Sequence, residues 1–341
     1  MQRNTLPTHR HWLTSLLLVV LFGSSCAATP DAETVIDNPD IKLFIQEMVD
    51  RHGFEANQLT ELFAQARTQP GIIEAISRPA EAKPWYEYRR IFLTPERIDG
   101  GIAYWNSNEK ILAKASEQYG VDPQIIIAII GVETRYGRNH GSYRVLDSLS
   151  TLAFGYPPRQ EFFRAELEQF LLLGREEKVD MLSALGSYAG AMGQGQFIPS
   201  SYRRYAVDFD GDNHRDLWNS TADIIGSIAN YLHLHGWEPG EPVVGPARIH
   251  GDRYRILLGQ GLQPNMSVAK LRQYGVEPLT DVPNQRLGTL VELENRTGNE
   301  YWLGVNNFYV ITRYNHSALY AMAVYQLAQE ITKQREIVNN L

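Results

Sequence analysis

Residues 122–137 constrain the fold more than any other stretch, because they encode a helix that must be buried and that takes one carboxylate inside with it. Asp122-Pro123 reads as an N-cap followed by proline at the first helical position. The body Gln124-Ile-Ile-Ile-Ala-Ile-Ile-Gly-Val-Glu133 follows, and Gly137 supplies the stop. Ile126, Ile129, Ile130 and Glu133 fall at i, i+3, i+4 and i+7, so Glu133 shares a face with three isoleucines. An unpaired carboxylate on such a face is costly to ionise, and its pKa is predicted to rise. A Glu still protonated near neutrality is what a general acid requires. The competing account is a Glu at the helix end that reaches water or pairs with Arg135 or Arg138.

The N-terminus has a separate character. Arg3 and Arg10 precede the apolar run 12–22, and Gly23-Ser24-Ser25 precede Cys26, which is the order of an export signal. The run is too short to span a bilayer comfortably. Cys26 is the sole cysteine, so no intrachain disulfide forms. Its position resembles the bacterial lipoprotein pattern, which implies cleavage after residue 25 and acylation of Cys26. The usual Leu three residues before the cysteine is Gly23 here, and an ordinary secretory signal is the alternative. Ala27, rather than Asp, after the cysteine implies the periplasmic face of the outer membrane. Removing residues 1–25 takes away two arginines and no acids, which leaves 30 basic and 39 acidic residues and a net charge of −9. That balance argues against nucleic acid as a partner, and acyl chains would supply the membrane attachment.

With 43% hydrophobic and 21% charged residues, the mature chain is long enough for a sizeable core. Residues 26–40 are small, polar and Pro-containing, as suits a tether. From 41 to 98 the pattern is helical, punctuated by Pro79, Pro84 and Pro95. Helices are predicted over 101–119, 161–173, 222–235 and 317–330, the last returning the chain to the core within 313–341. Residues 99–236 thus form a helical catalytic core. Between 237 and 312, runs at 242–250, 253–258, 287–293 and 309–312 read as β structure broken by Gly, Pro and Asn, a small β-containing insertion. The fold class is mostly α, within α+β.

Two further segments bear on chemistry. Gly186, Gly190, Gly193 and Gly195 fall within ten residues, a spacing that lets backbone approach a ligand closely. Ser187, Gln194 and Gln196 offer neutral hydrogen bonds there, which suit sugars better than phosphates, and the Gly-Lys-Ser/Thr of a phosphate loop is missing. A structural Gly-rich turn is the alternative. In Arg313-Tyr-Asn-His-Ser-Ala-Leu-Tyr320, Asn315 is a candidate helix cap, and Tyr314 and Tyr320 either stack on sugar faces or pack in the core.

Together, Gly131–Gly137, Ser187–Pro199 and Tyr314-Asn315, in this order and spacing, resemble the lytic murein transglycosylases of the membrane-bound B type over about residues 40–335. The resemblance implies a lysozyme-like helical core. It further implies cleavage of the MurNAc–GlcNAc β-1,4 bond of peptidoglycan, with a 1,6-anhydro-MurNAc product and no organic cofactor. Glu133 would act first as acid and then as base. Ser187, Gln196 and Met192 would contact the substrate, and Tyr314, Asn315, Tyr320 and Tyr88 would shape the cleft. Arg159 would meet the acidic stem peptide, since a guanidinium suits carboxylates. Cell-wall synthesis proteins are further partners that such an enzyme would meet. A silent peptidoglycan-binding scaffold and a hydrolytic muramidase are the rival functions.

The acidic run 208–216 is separate. Asp208, Asp210 and Asp212, with the His214 carbonyl, reproduce the first half of an EF-hand calcium loop. Asn213 stands where that loop has Gly, and Asn219 where it has Glu; the resemblance supplies the missing ligand from Asp223 within 208–223. Ca²⁺ is expected there as a stabilising ion.

Overall fold

The computed structural model describes residues 35–77 and 83–339. Cys26 and the export signal lie outside the described residues, as does most of the expected tether. Fourteen α-helices dominate the described chain, with one two-stranded and one five-stranded sheet. None of these helices is long and apolar enough to cross a membrane.

The helix Pro123–Thr134 sits at the centre. Its isoleucines are poor helix formers, so tertiary burial rather than propensity holds it. Every residue from Ile125 to Val132 is buried, on all sides of the helix rather than on one face. Each buried isoleucine contributes about 2 kcal/mol of transfer free energy. Asp122 precedes the helix in extended geometry without a side-chain cap bond, and Pro123 occupies the first turn.

The N-terminal helices belong to the same core. Phe44, Met48, Phe63 and Trp85 join the apolar cluster that includes Ile126, Phe163 and Leu327. Two buried polar groups on the helix Val145–Gly155 fasten this region: Asp147 accepts the Arg67 N–H at 2.9 Å, and Thr151 Oγ1 accepts the Gln69 N–H at 3.0 Å. Arg144 neutralises Asp147 at 2.8 Å.

Strands β1 (Tyr143–Arg144) and β2 (Leu185–Gly186) pair antiparallel beside this core. The later strands are β3 (Val244–Ile249), β4 (Met266–Ser267), β5 (Val276–Pro278), β6 (Leu287–Asn295) and β7 (Gly298–Gly304). They form an antiparallel sheet in the order β4-β6-β7-β3-β5 with a second small core around Tyr254, Val268, Leu271 and Leu290. The chain then re-enters the main core through the helices Asn306–Tyr314 and Ala318–Asn339.

Several local expectations are corrected. The single helix predicted over 101–119 is two, Pro95–Ser107 and Glu109–Tyr119, because Asn108 leaves helical geometry and its side chain donates to the Tyr104 carbonyl at 2.8 Å. The β-like run 253–258 is a 3₁₀ turn, Arg253–Leu257. The run 309–312 lies in the helix Asn306–Tyr314, where packing of Phe308 and Ile311 overrides β propensity. The sequence boundaries at 98/99 and 312/313 fall inside helices.

Candidate active site

Glu133 lies in the last turn of its helix, and the turn that follows is unusual. Arg135 (φ 52°) and Tyr136 (φ 60°) are both left-handed, a conformation that costs non-glycine residues about 1 kcal/mol or more. The Tyr136 and Arg135 N–H groups bond back to the Ile130 and Gly131 carbonyls and close the helix. Tyr136 holds the strain in place: its ring lies over Gly100 and Gly131, and its hydroxyl donates to the Arg97 carbonyl at 2.7 Å. A Cβ at Gly131 would stand 2.5 Å from the Tyr136 hydroxyl, which explains the glycine two residues before Glu133. Thr134 Oγ1 donates to the Gln194 carbonyl at 3.0 Å and so ties the helix end to the Gly-rich segment.

That segment folds back on itself as isolated antiparallel bridges, Gly186 with Met192 and Met192 with Phe197. Ser187 Oγ accepts the Ala189 and Ala191 N–H groups at 3.2 and 3.0 Å, so it clamps the turn. Gln194 is spent on structure, its N–H bonding the Leu217 carbonyl at 2.8 Å and its amide the Trp218 carbonyl at 3.3 Å. Gln196 differs. It is left-handed (φ 52°) and its Nε2 donates to the Gly193 and His140 carbonyls, but its buried Oε1 has no partner among the described residues. A buried acceptor left in this way invites a donor from a ligand.

Glu133, Arg159, Gln196, Tyr314 and Asn315 line one cavity of about 260 Å³. Glu133 is the only carboxylate among the described residues that line it. Protein packed around this carboxyl raises its pKa to about 7, an effect that the Tyr320 hydroxyl, donating to Oε1 at 2.6 Å, partly opposes. No ion pair with Arg135 or Arg138 forms among the described residues, and Oε2 makes no hydrogen bond there. The Tyr314 hydroxyl donates to the Gly195 carbonyl at 2.6 Å, and the Tyr314 and Tyr320 rings stack at 6.5 Å. Burial lifts both phenol pKa values far above the ordinary value, so both remain donors.

Four of the residues expected to contact substrate or shape the cleft lie beneath the cavity surface instead. Ser187 and Tyr320 are 1% exposed, and Met192 and Tyr88 are fully buried. Met192 pins the folded-back loop, and Tyr88 packs between Trp85 and Phe92 under the site. Asn315 is not the cap of the last helix; Ser317 is, its Oγ accepting the Tyr320 N–H at 3.3 Å. Phe197, Tyr205 and Tyr231 form an aromatic floor that the sequence reading missed, with Tyr231 4.9 Å from Tyr314 and 4.8 Å from Tyr205. Tyr231 sits in an apolar helix, where nothing in sequence separates it from core.

The acidic loop brings carboxylate oxygens of Asp208, Asp210 and Asp212 within 4.8 Å of one another. Asn213 adopts φ 68°, the left-handed geometry that glycine gives at this position, so the loop closes despite the departure. Asp223 lies outside this group. It is fully buried, and its oxygens accept the Phe209 and Asp216 N–H groups at 2.7 and 2.8 Å, which braces both ends of the loop. The His214 ring also stands outside the trio, so only its carbonyl is a candidate ligand. The three exposed carboxylates fit a hard, oxygen-seeking cation.

Comparison with known proteins agrees with this fold. The transglycosylase SLT domain model matches residues 37–329. Membrane-bound lytic murein transglycosylase B of Escherichia coli is 44% identical over 309 residues, 88% of this chain and 84% of that protein. The crystal structure of soluble lytic transglycosylase SltB1 from Pseudomonas aeruginosa is 52% identical, with a TM-score of 0.83 over 87% of this chain and all of that one. The Escherichia coli lytic transglycosylase SLT35, solved in complex with calcium, is 45% identical, with a TM-score of 0.81 over 88% of this chain and 94% of that one.

Proposed function

The chain belongs to the family of the transglycosylase SLT domain and is a lytic murein transglycosylase acting on peptidoglycan, and from that premise we propose how its cavity performs the cleavage. Glu133 donates its proton to the glycosidic oxygen of the MurNAc–GlcNAc β-1,4 bond as that bond breaks. The resulting carboxylate then takes the proton of the sugar's C6 hydroxyl while that oxygen bonds to C1, which leaves a 1,6-anhydro-MurNAc end and restores Glu133. The N-acetyl carbonyl stabilises the positive centre between the two steps.

The observation that carries this reading is the single carboxylate in the cavity. Hydrolytic glycosidases place two carboxyl groups about 5–9.5 Å apart, one to activate water or attack the sugar. Here the nucleophile belongs to the substrate, and an intramolecular attack outcompetes bulk water. The raised pKa of Glu133 keeps it protonated below about 7, as the first step needs. Tyr320 then stabilises the carboxylate that the second step uses. Gln196 Oε1 accepts a substrate N–H or O–H, Tyr314 and Asn315 line the subsite, and Arg159 meets a carboxylate of the stem peptide. Ser187, Met192 and Tyr88 act through the walls that they support.

Mass spectrometry of soluble products from purified peptidoglycan tests the reading. The wild-type chain is expected to release muropeptides lighter by one water than reducing ones, and Glu133→Gln none. Reducing ends instead would mean that water is the nucleophile.

In the acidic loop, Asp208, Asp210, Asp212 and the His214 carbonyl would hold Ca²⁺, which supplies charge neutralisation there. Its place beside residues 217–218, which bond the Gly-rich segment, makes its effect one of stability. Acylation of Cys26 anchors the enzyme at the periplasmic face of the outer membrane, in keeping with the membrane-bound relative.

A further inference from the structure

A second cavity lies outside the catalytic one. Its volume is about 550 Å³, within the range of roughly 300–1,000 Å³ that small-ligand sites occupy. It lies between the end of the helix Gln160–Glu177 and the acidic loop, and His140, Asp180, Ser183, Trp218 and Asn219 line it. The Gly-rich segment stands between the two cavities. Ala191 and Gln196 line the catalytic one, while Gln196 Nε2 donates to the His140 carbonyl at 3.2 Å and Gln194 Nε2 to the Trp218 carbonyl at 3.3 Å, on the side of the second.

The walls of this second cavity select a class of ligand. Trp218 is half-buried and held on two sides, its Nε1 donating to the Leu185 carbonyl at 2.9 Å and its ring meeting Tyr202 edge-on at 5.7 Å. An indole fixed in this way offers a flat apolar platform. The carboxylates around it are largely committed to protein. Glu177 accepts the Arg215 N–H at 3.0 Å and its Nε at 2.6 Å, and Asp180 accepts the Leu182 N–H at 3.0 Å. Asp216 accepts the Trp218 and Asn219 N–H groups at 2.8 and 3.0 Å and the Asn219 amide at 2.9 Å, and Asp212 belongs to the candidate calcium group. Carboxylates bonded in this way have little left for a cation, and their number repels a phosphate or a second carboxylate. His140 Nε2, by contrast, is buried with no partner among the described residues, and a neutral hydroxyl or amide would satisfy it. These walls suit a ligand with an apolar face, hydrogen-bonding edges and no net charge, and an N-acetylated sugar ring is such a ligand.

We propose that this second cavity is a non-catalytic glycan site, which takes a sugar unit of a peptidoglycan strand against Trp218 and holds the enzyme on its substrate. The proposal goes beyond the chemistry assigned to Glu133 and does not depend on it. A strand long enough to meet both cavities is bound by two contacts at once, so its release is slower than that of a fragment that fills the catalytic cavity alone.

Binding to long glycan strands, freed of peptide by an amidase and immobilised on a sensor surface, tests it without cleavage. The mature chain with Glu133→Gln is compared with the same chain carrying Ser183→Trp, which fills the cavity from an exposed position, or Trp218→Ala, which removes the platform. Each substitution is expected to lower the affinity about tenfold, as losing one anchoring aromatic contact does. With Glu133 intact, Ser183→Trp should leave kcat/KM on a short soluble fragment within about twofold of the wild type, as for a surface substitution. Unchanged affinity for the strands in Ser183→Trp overturns the proposal. So does an equal fall in turnover of the short fragment, which would mean that the substitution merely distorts the Gly-rich segment. A loss seen only with peptide-bearing strands would make the ligand a peptide and overturn the sugar assignment. Anhydro products with no effect of Ser183→Trp sink the second site alone, and a Ser183→Trp effect without anhydro products sinks only the chemistry of Glu133.

Discussion

Replacing Glu133 by Gln keeps the side-chain shape and the acceptor for the Tyr320 hydroxyl, and removes only the ionisable proton. In the folded chain this carboxyl has a pKa of about 7 against an ordinary 4.5, because burial penalises the anion more than Tyr320 favours it. A separation of that size amounts to ~3 kcal/mol at ~1.4 kcal/mol per pH unit. The folded-state pKa is the raised one, so the stability that Glu133 allows is fully present below about 4.5. It declines as the pH rises to about 7, and above that the ionised carboxylate costs the fold its full amount. Glu133→Gln escapes this cost. Its melting temperature is expected to match that of the wild type near pH 4.5 and to exceed it by roughly 6 °C above pH 7, taking ~2 °C per kcal/mol for a chain of this size. Calorimetry from pH 4.5 to 9, with the calcium level fixed, measures the gap. A difference that does not change with pH would refute the argument, since a buried amide and a buried neutral acid differ by a constant.

Other perturbations follow the same logic. The kcat/KM of the wild type should fall about tenfold per pH unit above roughly 7 as the acid ionises, and Tyr320→Phe should move that limb upward by about one pH unit, because the lost bond favoured the carboxylate; a downward move in the pH–rate profile would contradict it. Gly131→Ala drives a methyl group into Tyr136 and should cost ~2 kcal/mol in denaturant unfolding, with Gly131→Ala/Tyr136→Ala recovering part of it. Chelation should lower the melting temperature, and Asp210→Asn should abolish that calcium dependence; a chelator-insensitive wild type argues against an ion in the loop. Cys26→Ser should move the enzyme from the membrane to the soluble fraction on cell fractionation, and an unchanged distribution argues against acylation.

What was legible in the sequence was local. Asp122-Pro123 and the isoleucine run marked the helix carrying Glu133, and the glycines at 186–195 marked a backbone that doubles back. The acidic loop announced itself through Asp208, Asp210 and Asp212 alone. Misreadings arose where tertiary packing decided the outcome. Val310, Ile311 and Thr312 carry β-branched signals, yet they lie in a helix fixed by the core around Phe308. Sequence also could not tell a residue that lines the cavity from one a layer deeper. Ser187, Met192 and Tyr88 are as close to the chemistry in sequence as Gln196, but only Gln196 presents an unspent atom to the cavity.

Glu133 is enclosed by protein, but the face it shares with three isoleucines is not the cause. Its helix has no polar face to turn outward, so sharing a side with three isoleucines does not by itself decide what surrounds the carboxyl. What decides it is the C-terminal helix, 187 residues further on, which sets the Tyr320 hydroxyl against Oε1. The strained Arg135–Tyr136 turn ends the helix one residue past Glu133, whose side chain lines the cavity. The same distance in sequence hid the decisive negative: no order of motifs excludes a second carboxylate arriving from elsewhere. The chain has thirty-nine acidic residues, and among the described ones Glu133 alone reaches the cavity wall. In the mechanism proposed above one carboxyl suffices, because the C6 hydroxyl of the sugar is the nucleophile.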